Sequence, residues 1–139
     1  MDKKRHRVLI YFLLVLSIIS IAVSFWIFFH RPLEVRELDV VFIVANDAVG
    51  FDLNNTALTF GKIPQGGSGT RKVIIDNMRS YAVEVRIFVS EDIASFVAVP
   101  ENLYLPAFEN ATFSVIVSVP DDIREGNYTG RIRLETYRA

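Results

Sequence analysis

The sequence predicts an all-β domain, a β-sandwich of about seven strands, that follows a single N-terminal transmembrane α-helix. Two observations support this prediction. Residues 8–29 contain no charged side chain, and from Pro32 onward apolar and polar residues alternate between turns. The first segment reaches roughly 33 Å as a helix, enough for a hydrocarbon core of about 30 Å. Alternation with a period of two is typical of strands that bury one face.

The charges that flank the apolar segment predict its orientation. Lys3, Lys4, Arg5 and Arg7 precede it, and the cytoplasmic flanks of membrane helices carry an excess of such cations. Trp26 lies near the other end, where aromatic rings favour the membrane interface. The predicted division of the chain is a cytoplasmic basic tail at 1–7, a transmembrane helix at 8–29, a short linker at 30–34 and an extracytoplasmic domain at 35–139.

Two alternative interpretations of the N-terminal segment involve processing. Ser20-Ile21-Ala22 offers small residues for signal-peptide cleavage, but cleavage there would expose the apolar residues 23–29 to water. This cost favours an uncleaved anchor. The segment also resembles a type IV pilin leader, in which charged residues precede an apolar helix, although Arg7 stands where such leaders usually have Gly or Ala.

Three serines mark one face of the predicted helix. Ser17, Ser20 and Ser24 recur at spacings of three and four. Small polar residues on one face allow a second helix to approach closely and to accept or donate hydrogen bonds, which predicts a helix-packing face. The alternative is that each hydroxyl bonds back to its own helix and has no partner.

The predicted strands differ in the clarity of their pattern. Residues 81–90 form the clearest strand, because every second side chain from Tyr81 to Val89 is apolar. The same pattern predicts strands at 112–119 and 128–135. Less regular strands are predicted at 35–44, 58–60, 71–76, 96–99 and 103–105. Turn residues separate them, among them those of 64–69 and 77–80.

A family resemblance follows from the order of these segments. The run LTFGKIPQGGSGTRKVIIDN is followed by VEVRIFVS, by Val-Pro-Glu-Asn-Leu, by FSVIVSVP and by GNYTGRIRL. In this order the chain resembles the immunoglobulin-like modules of archaeal and bacterial surface proteins, which are related to PapD-like and NPCBM-associated domains. The resemblance covers residues 53–136 and implies an immunoglobulin-like sandwich with an interaction or spacer role. Gly126-Asn127-Tyr128 is also similar to a tyrosine corner, but in the last strand.

The composition argues against several classes of function. The chain has no cysteine, which excludes disulfides and thiolate chemistry. His6 and His30 both lie outside the predicted β-domain, so no histidine-based triad or metal site is expected within it. From Pro32 onward ten Lys or Arg face fifteen Asp or Glu, and an acidic domain is not expected to bind nucleic acid. We expect no enzyme activity, cofactor, metal or small-molecule substrate.

Three asparagines are candidate N-glycosylation sites. Asn54, Asn110 and Asn127 each begin an Asn-X-Thr sequon at a predicted turn or strand edge, where a glycosyltransferase has access. Chance is the alternative, because Asn and Thr are both common at turns.

Three apolar residues form a candidate protein interface. By alternation, Phe88, Ile116 and Tyr137 lie on the solvent side of their strands, so that together they predict an exposed apolar patch. Isolated apolar residues on a surface are ordinary and offer the alternative explanation.

These features predict a non-enzymatic, membrane-anchored interaction or structural module. Few residues separate Pro32 from the first strand, so the domain is expected close to the bilayer, as a subunit of a membrane or cell-envelope complex with a protein partner. One alternative is an accessory or filament protein of a type IV pilus or archaellum-like machine. Another is cell-wall or glycan binding, which predicts several exposed aromatic rings on one face.

Overall fold

The computed structural model describes residues 3–47 and 57–139. The chain divides into two compact units, Met1–Arg31 and Pro32–Ala139. The first contains helix α1, Lys3–His30, whose residues are all exposed. This helix includes the predicted span 8–29. It is long and apolar enough to cross a membrane, a property that membrane anchors and signal sequences share.

The described part of the second unit contains eight strands. They are β1 Glu34–Val44, β2 Leu58–Ile63, β3 Ser68–Asp76, β4 Val83–Val89, β5 Val97–Ala98, β6 Asn102–Leu105, β7 Asn110–Ser118 and β8 Gly126–Arg138. Sheet A has the strand order β2-β1-β8-β4-β6, and sheet B has the order β3-β7-β5. Neighbouring strands are antiparallel except β1 and β2, which are parallel.

This architecture confirms the predicted fold class, an all-β immunoglobulin-like domain after a single helix. The described residues form eight strands, one for each segment that the sequence predicts, where the predicted total is about seven; the predicted segment 96–99 contains the short strand β5, which pairs with β7. The core consists of the inward side chains of both sheets, as alternation predicts. Its buried members are Val40, Phe42, Val44, Phe60, Ile63, Val83, Val85, Ile87, Ile93, Val97, Leu105, Phe113, Val115, Val117, Val119, Ile132 and Leu134.

Aromatic rings pack at one end of this core. The ring of Phe42 stacks on Tyr128 with centroids 5.3 Å apart, and Phe96 meets both rings at a steep angle. The Tyr128 hydroxyl donates to the carbonyl oxygen of Arg124 at 2.8 Å. A tyrosine hydroxyl that bonds to the backbone a few residues upstream is the contact of a tyrosine corner, here in the last strand.

Several strands extend beyond their predicted limits, among them β8, which runs from Gly126 to Arg138 because it pairs with both β1 and β4. β2 continues through Gly61 to Ile63, and its pairing with β1 shifts register on the way. Gly61 has φ 69°, which suits an extra residue in a β-bulge and interrupts the alternation by which the strand was predicted. β3 begins at Ser68, inside a predicted turn, because its first residues pair with the end of β7.

The strand directions define two ends of the sandwich. We call the end where β1 begins at Glu34 the entry end; there the Leu33 N–H donates to the Thr136 carbonyl at 2.7 Å. β3 and β6 finish at the entry end and β4 and β7 start there, so loops 77–82 and 106–109 lie at it. The described residues of the opposite-end loops are 45–47, 64–67, 90–96 and 119–125.

Candidate interaction surfaces

The outer face of sheet A presents aromatic and charged side chains in register. Strand residues two apart share a face, so alternate residues of β1, β4, β6 and β8 project outward together. From the entry end, three successive rows are Tyr104–Glu84–Tyr137, then Asn102–Arg86–Glu135–Val35, then Phe88–Arg133–Glu37. We call this surface the sheet A face.

Glu135 is the centre of the polar contacts on the sheet A face. Its carboxylate pairs with the Arg133 guanidinium at 2.9 Å and accepts a hydrogen bond from the Tyr137 hydroxyl at 2.6 Å. The Arg86 guanidinium lies 4.7 Å from the centre of the Tyr137 ring. The hydrogen bond to Glu135 is the main cause that raises the pKa of Tyr137 above its ordinary value. Desolvation and the charge of Glu135 raise this pKa further, whereas the charges of Arg86 and Arg133 lower it.

Two of the rings on this face are open to solvent. The exposed fraction is 48% for Phe88 and 66% for Tyr104. Phe88 also borders a shallow groove of about 340 Å³ with Glu37 and Arg131, which pair at 3.3 Å. Aromatic side chains and arginine are the residues most enriched in protein interfaces, so the composition of this face suits a protein partner.

The structure divides the three residues of the predicted apolar interface. Phe88 and Tyr137 share the sheet A face, with Arg86 and Glu135 in the row between them. Ile116 lies on β7, on the outer face of sheet B. The three therefore do not form one patch. Alternation identifies outward residues, but it does not tell which of the two sheets a strand joins.

The outer face of sheet B has few charges and two exposed isoleucines. Ile74 and Ile116 lie there among serine and threonine side chains of β3 and β7. Asn110 begins β7 opposite Asp76 and is exposed, and Asn127 is exposed near the start of β8. Both sequons therefore remain candidate glycosylation sites. Asn54 lies outside the described residues.

The serines of the predicted helix-packing face all lie in α1. Ser17, Ser20 and Ser24 are exposed, and the helical period places them on one side. The contact with a second helix that they suggest stays a prediction.

A buried asparagine joins the two entry-end loops. Asn77 is only 2% exposed, and its Oδ1 accepts the Arg79 N–H at 3.1 Å. Its backbone N–H donates to the Glu109 carbonyl at 2.8 Å. The Nδ2 group donates to three carbonyl oxygens, those of Tyr81 at 2.9 Å, Leu105 at 3.3 Å and Pro106 at 2.7 Å. One side chain thus fixes both loops.

Two exposed apolar side chains project from these loops. Met78 is 85% exposed and Phe108 is 72% exposed, and they line one shallow pocket of about 220 Å³. Phe108 has φ 58°, a left-handed conformation that is strained for a bulky residue. Its N–H donates to the Arg79 carbonyl at 3.2 Å, and the Arg79 guanidinium pairs with Glu34 at 3.1 Å. We call Met78 and Phe108 the entry-end pair.

The sequence analysis does not identify the entry-end pair. It predicts a turn at 77–80, but a turn by itself gives no reason to single out Met78 or to place it beside Phe108. The two residues are thirty positions apart in the sequence, and the hydrogen bonds of Asn77 bring their loops together. The signal in the sequence is an apolar side chain in the predicted turn at 77–80 and another between the predicted strands at 103–105 and 112–119.

The described residues do not assemble a metal site. Within residues 3–47 and 57–139, no three His, Asp or Glu side chains lie close enough to hold a metal ion. Every buried side-chain nitrogen or oxygen in those ranges has a hydrogen-bond partner. A cleft of about 460 Å³ opens between the sheets at the entry end, with Glu34, Arg36, Asp76 and Arg79 among its lining residues.

No protein-family model matches the chain, and no curated protein matches it. One solved structure that is similar is an antigen and type I fimbria protein of Burkholderia pseudomallei. The match has a TM-score of 0.36 and 10% sequence identity, and it covers 74% of this chain and 97% of that one.

Proposed function

We propose that this protein is a non-enzymatic, membrane-anchored module of the cell envelope that binds a protein partner through the sheet A face. Residues 8–29 of α1 form the anchor, the basic tail 1–7 is cytoplasmic, and the linker 30–34 leads to an extracytoplasmic domain at 35–139. Support for the anchor comes from the length and hydropathy of α1 and from the cations that precede its apolar part.

The observation that carries the proposed binding role is the composition of the sheet A face. The rings of Phe88, Tyr104 and Tyr137 share the outer face of sheet A with the guanidinium groups of Arg86 and Arg133. Rings and guanidinium groups lose little conformational entropy per contact and provide most of the binding energy at many interfaces. The ion pair of Glu135 with Arg133 and the hydrogen bond that Glu135 accepts from Tyr137 hold these side chains in place before a partner arrives.

The test is co-purification of the full chain from its native membrane in mild detergent, followed by mass spectrometry of stoichiometric partners. Phe88→Ser is compared with Ile116→Ser, because each replaces an exposed apolar strand residue, on opposite sheets. We expect a partner with the wild-type chain and with Ile116→Ser, and loss of that partner with Phe88→Ser. A wild-type protein that purifies alone, or a partner lost only with Ile116→Ser, contradicts the proposal.

Glycan binding is a second candidate for the same face, favoured by the presence of three rings on it. A glycan ligand predicts that Tyr104→Ala weakens retention on cell-wall polysaccharide while the protein partner, if one co-purifies, is unaffected. The filament hypothesis concerns the N-terminus instead. A mature protein that retains Met1 contradicts a processed pilin-like form and still permits an accessory role.

A further inference from the structure

We infer that the entry-end pair, Met78 and Phe108, inserts into the headgroup region of the lipid bilayer, so that the β-domain rests on the membrane by its entry end. This inference depends on the proposed membrane anchorage and adds a second, reversible contact with lipid. The chemistry required is that of a lipid–water interface, which accepts apolar side chains beside polar backbone.

The first argument is the length of the chain between α1 and the sandwich. The Arg31 N–H still donates to the Ile27 carbonyl of the helix at 3.1 Å, whereas the Leu33 N–H already donates to Thr136 in sheet A. Only Pro32 lies between them. Two peptide units span at most about 7 Å, so the chain that joins the end of α1 to the start of the sandwich is very short.

The second argument is the exposure of the pair and its connection to that point of entry. Met78 and Phe108 are the two most exposed large apolar side chains of the described second unit. Arg79 links both loops to the start of β1, through the pairing with Glu34 and the hydrogen bond from Phe108. Phe108 has a strained φ and its ring is 72% exposed, where water alone gives it no favourable contact.

The third argument is the difference in charge between the two ends. The entry-end loops 77–82 and 106–109 together contain one cation, Arg79, and one anion, Glu109. The described opposite-end loops contain a single cation, Arg124, and six carboxylates, those of Asp47, Glu91, Asp92, Asp121, Asp122 and Glu125. Moving charged groups toward lipid is costly, so the entry end, whose two loops carry no net charge, is the end that can approach the bilayer.

The fourth argument is the distribution of tyrosine. Three of the four tyrosines in the described second unit lie at or near the entry end, namely Tyr81, Tyr104 and Tyr137. Tyrosine is enriched where membrane meets water, because its ring is apolar and its hydroxyl stays hydrated. This distribution places tyrosine at the end of the sandwich that carries the entry-end pair.

The test uses the full chain in nanodiscs that hold one molecule each. The chain has no cysteine, so Met78→Cys, Phe108→Cys and Asp92→Cys each provide one site for an environment-sensitive fluorophore. Quenching by nitroxide-labelled lipid is compared with quenching by aqueous iodide. Trp26 is the only tryptophan, and its quenching by brominated lipid reports insertion of α1 independently.

We expect labels at 78 and 108 to be quenched by the nitroxide lipid and protected from iodide, and the label at 92 to show the reverse. Quenched Trp26 with an iodide-sensitive label at 108 overturns the inference and leaves the anchor intact. Unquenched Trp26 overturns the proposed anchorage instead. Protection at 108 that appears only with two or more molecules per disc indicates contact with a second copy and also overturns the lipid assignment.

Discussion

Phe108 combines two unfavourable properties, a left-handed backbone and a ring that is 72% exposed. The left-handed conformation costs a side chain with a Cβ roughly 1 kcal/mol, and Asn tolerates it better than Phe. Phe108 thus lowers the stability of the domain and buries little apolar surface within it. These two properties agree with a contact of Phe108 outside the domain.

We therefore expect Phe108→Asn to raise the free energy of unfolding of the domain in detergent by about 0.5–1 kcal/mol, because it relieves strain and removes little burial. Phe108→Ala is the control, since it deletes the ring but keeps a Cβ that suits this backbone poorly. Urea titration measures both. A loss of stability with Asn would show that the ring contributes to the fold and not to an external contact.

The surroundings of Tyr137 change the pKa of its hydroxyl, which a pH titration can measure. Its hydroxyl donates to Glu135, which raises its pKa. A raised pKa means that the contact stabilises the fold fully below the ordinary tyrosine pKa, near pH 10, and that this contribution is lost as the pH rises through the folded value.

We expect the ultraviolet absorbance change of Tyr137 to occur at higher pH than in the Glu135→Gln variant, in which the carboxylate is absent. Glu84→Gln is the control, because Glu84 lies on the same face but is not the acceptor of this hydrogen bond. Equal titration curves for wild type and Glu135→Gln would contradict the hydrogen bond.

At the scale of elements, the hydrogen bonds of Asn77 join the two entry-end loops. The predicted turn at 77–80 gives the local reason for an asparagine, which favours turns. Its burial and its bonds to Leu105 and Pro106 depend on a loop almost thirty residues away, so they are properties of the tertiary structure.

We expect Asn77→Ala to lower the free energy of unfolding by about 2–4 kcal/mol, because it leaves one buried and three part-buried backbone groups without this partner. Asn102→Ala on the exposed edge strand β6 should change it by less than about 0.5 kcal/mol. Hydrogen exchange of the Arg79 amide reports the same effect locally. A cost for Asn77→Ala no larger than that of the control would contradict the role of Asn77.

At the scale of strands, the sequence was most informative where one face is buried and the alternation is unbroken. β4, β7 and β8 lie where their patterns predict, since the period-two burial of each strand is set by its own residues. β2 and β3 were predicted too short, because the bulge at Gly61 and the pairing with β7 depend on other strands.

At the scale of the whole molecule, the helix and the β-domain form separate units. Every residue of the hydrophobic core lies between Val40 and Leu134, so the second unit has a core of its own. Its length of about a hundred residues is sufficient for a domain to fold without its anchor.

We expect residues 32–139 expressed alone to fold and to show a free energy of unfolding within about 0.5 kcal/mol of the domain in the full chain in detergent micelles. Tyrosine fluorescence follows the transition in the fragment, which contains no tryptophan. A fragment that is unfolded or much less stable would show that the helix contributes to the core of the domain.

The sequence by itself determined the helix, the class of the domain and the inward side of its main strands. Each of these follows from local patterns, namely an uncharged apolar segment and alternation with a period of two. The partition of strands between the two sheets was decided only in the tertiary structure, and with it the separation of Phe88 from Ile116. The assembly of Met78 and Phe108 at the entry end was decided there too, because it depends on contacts between residues far apart in the chain.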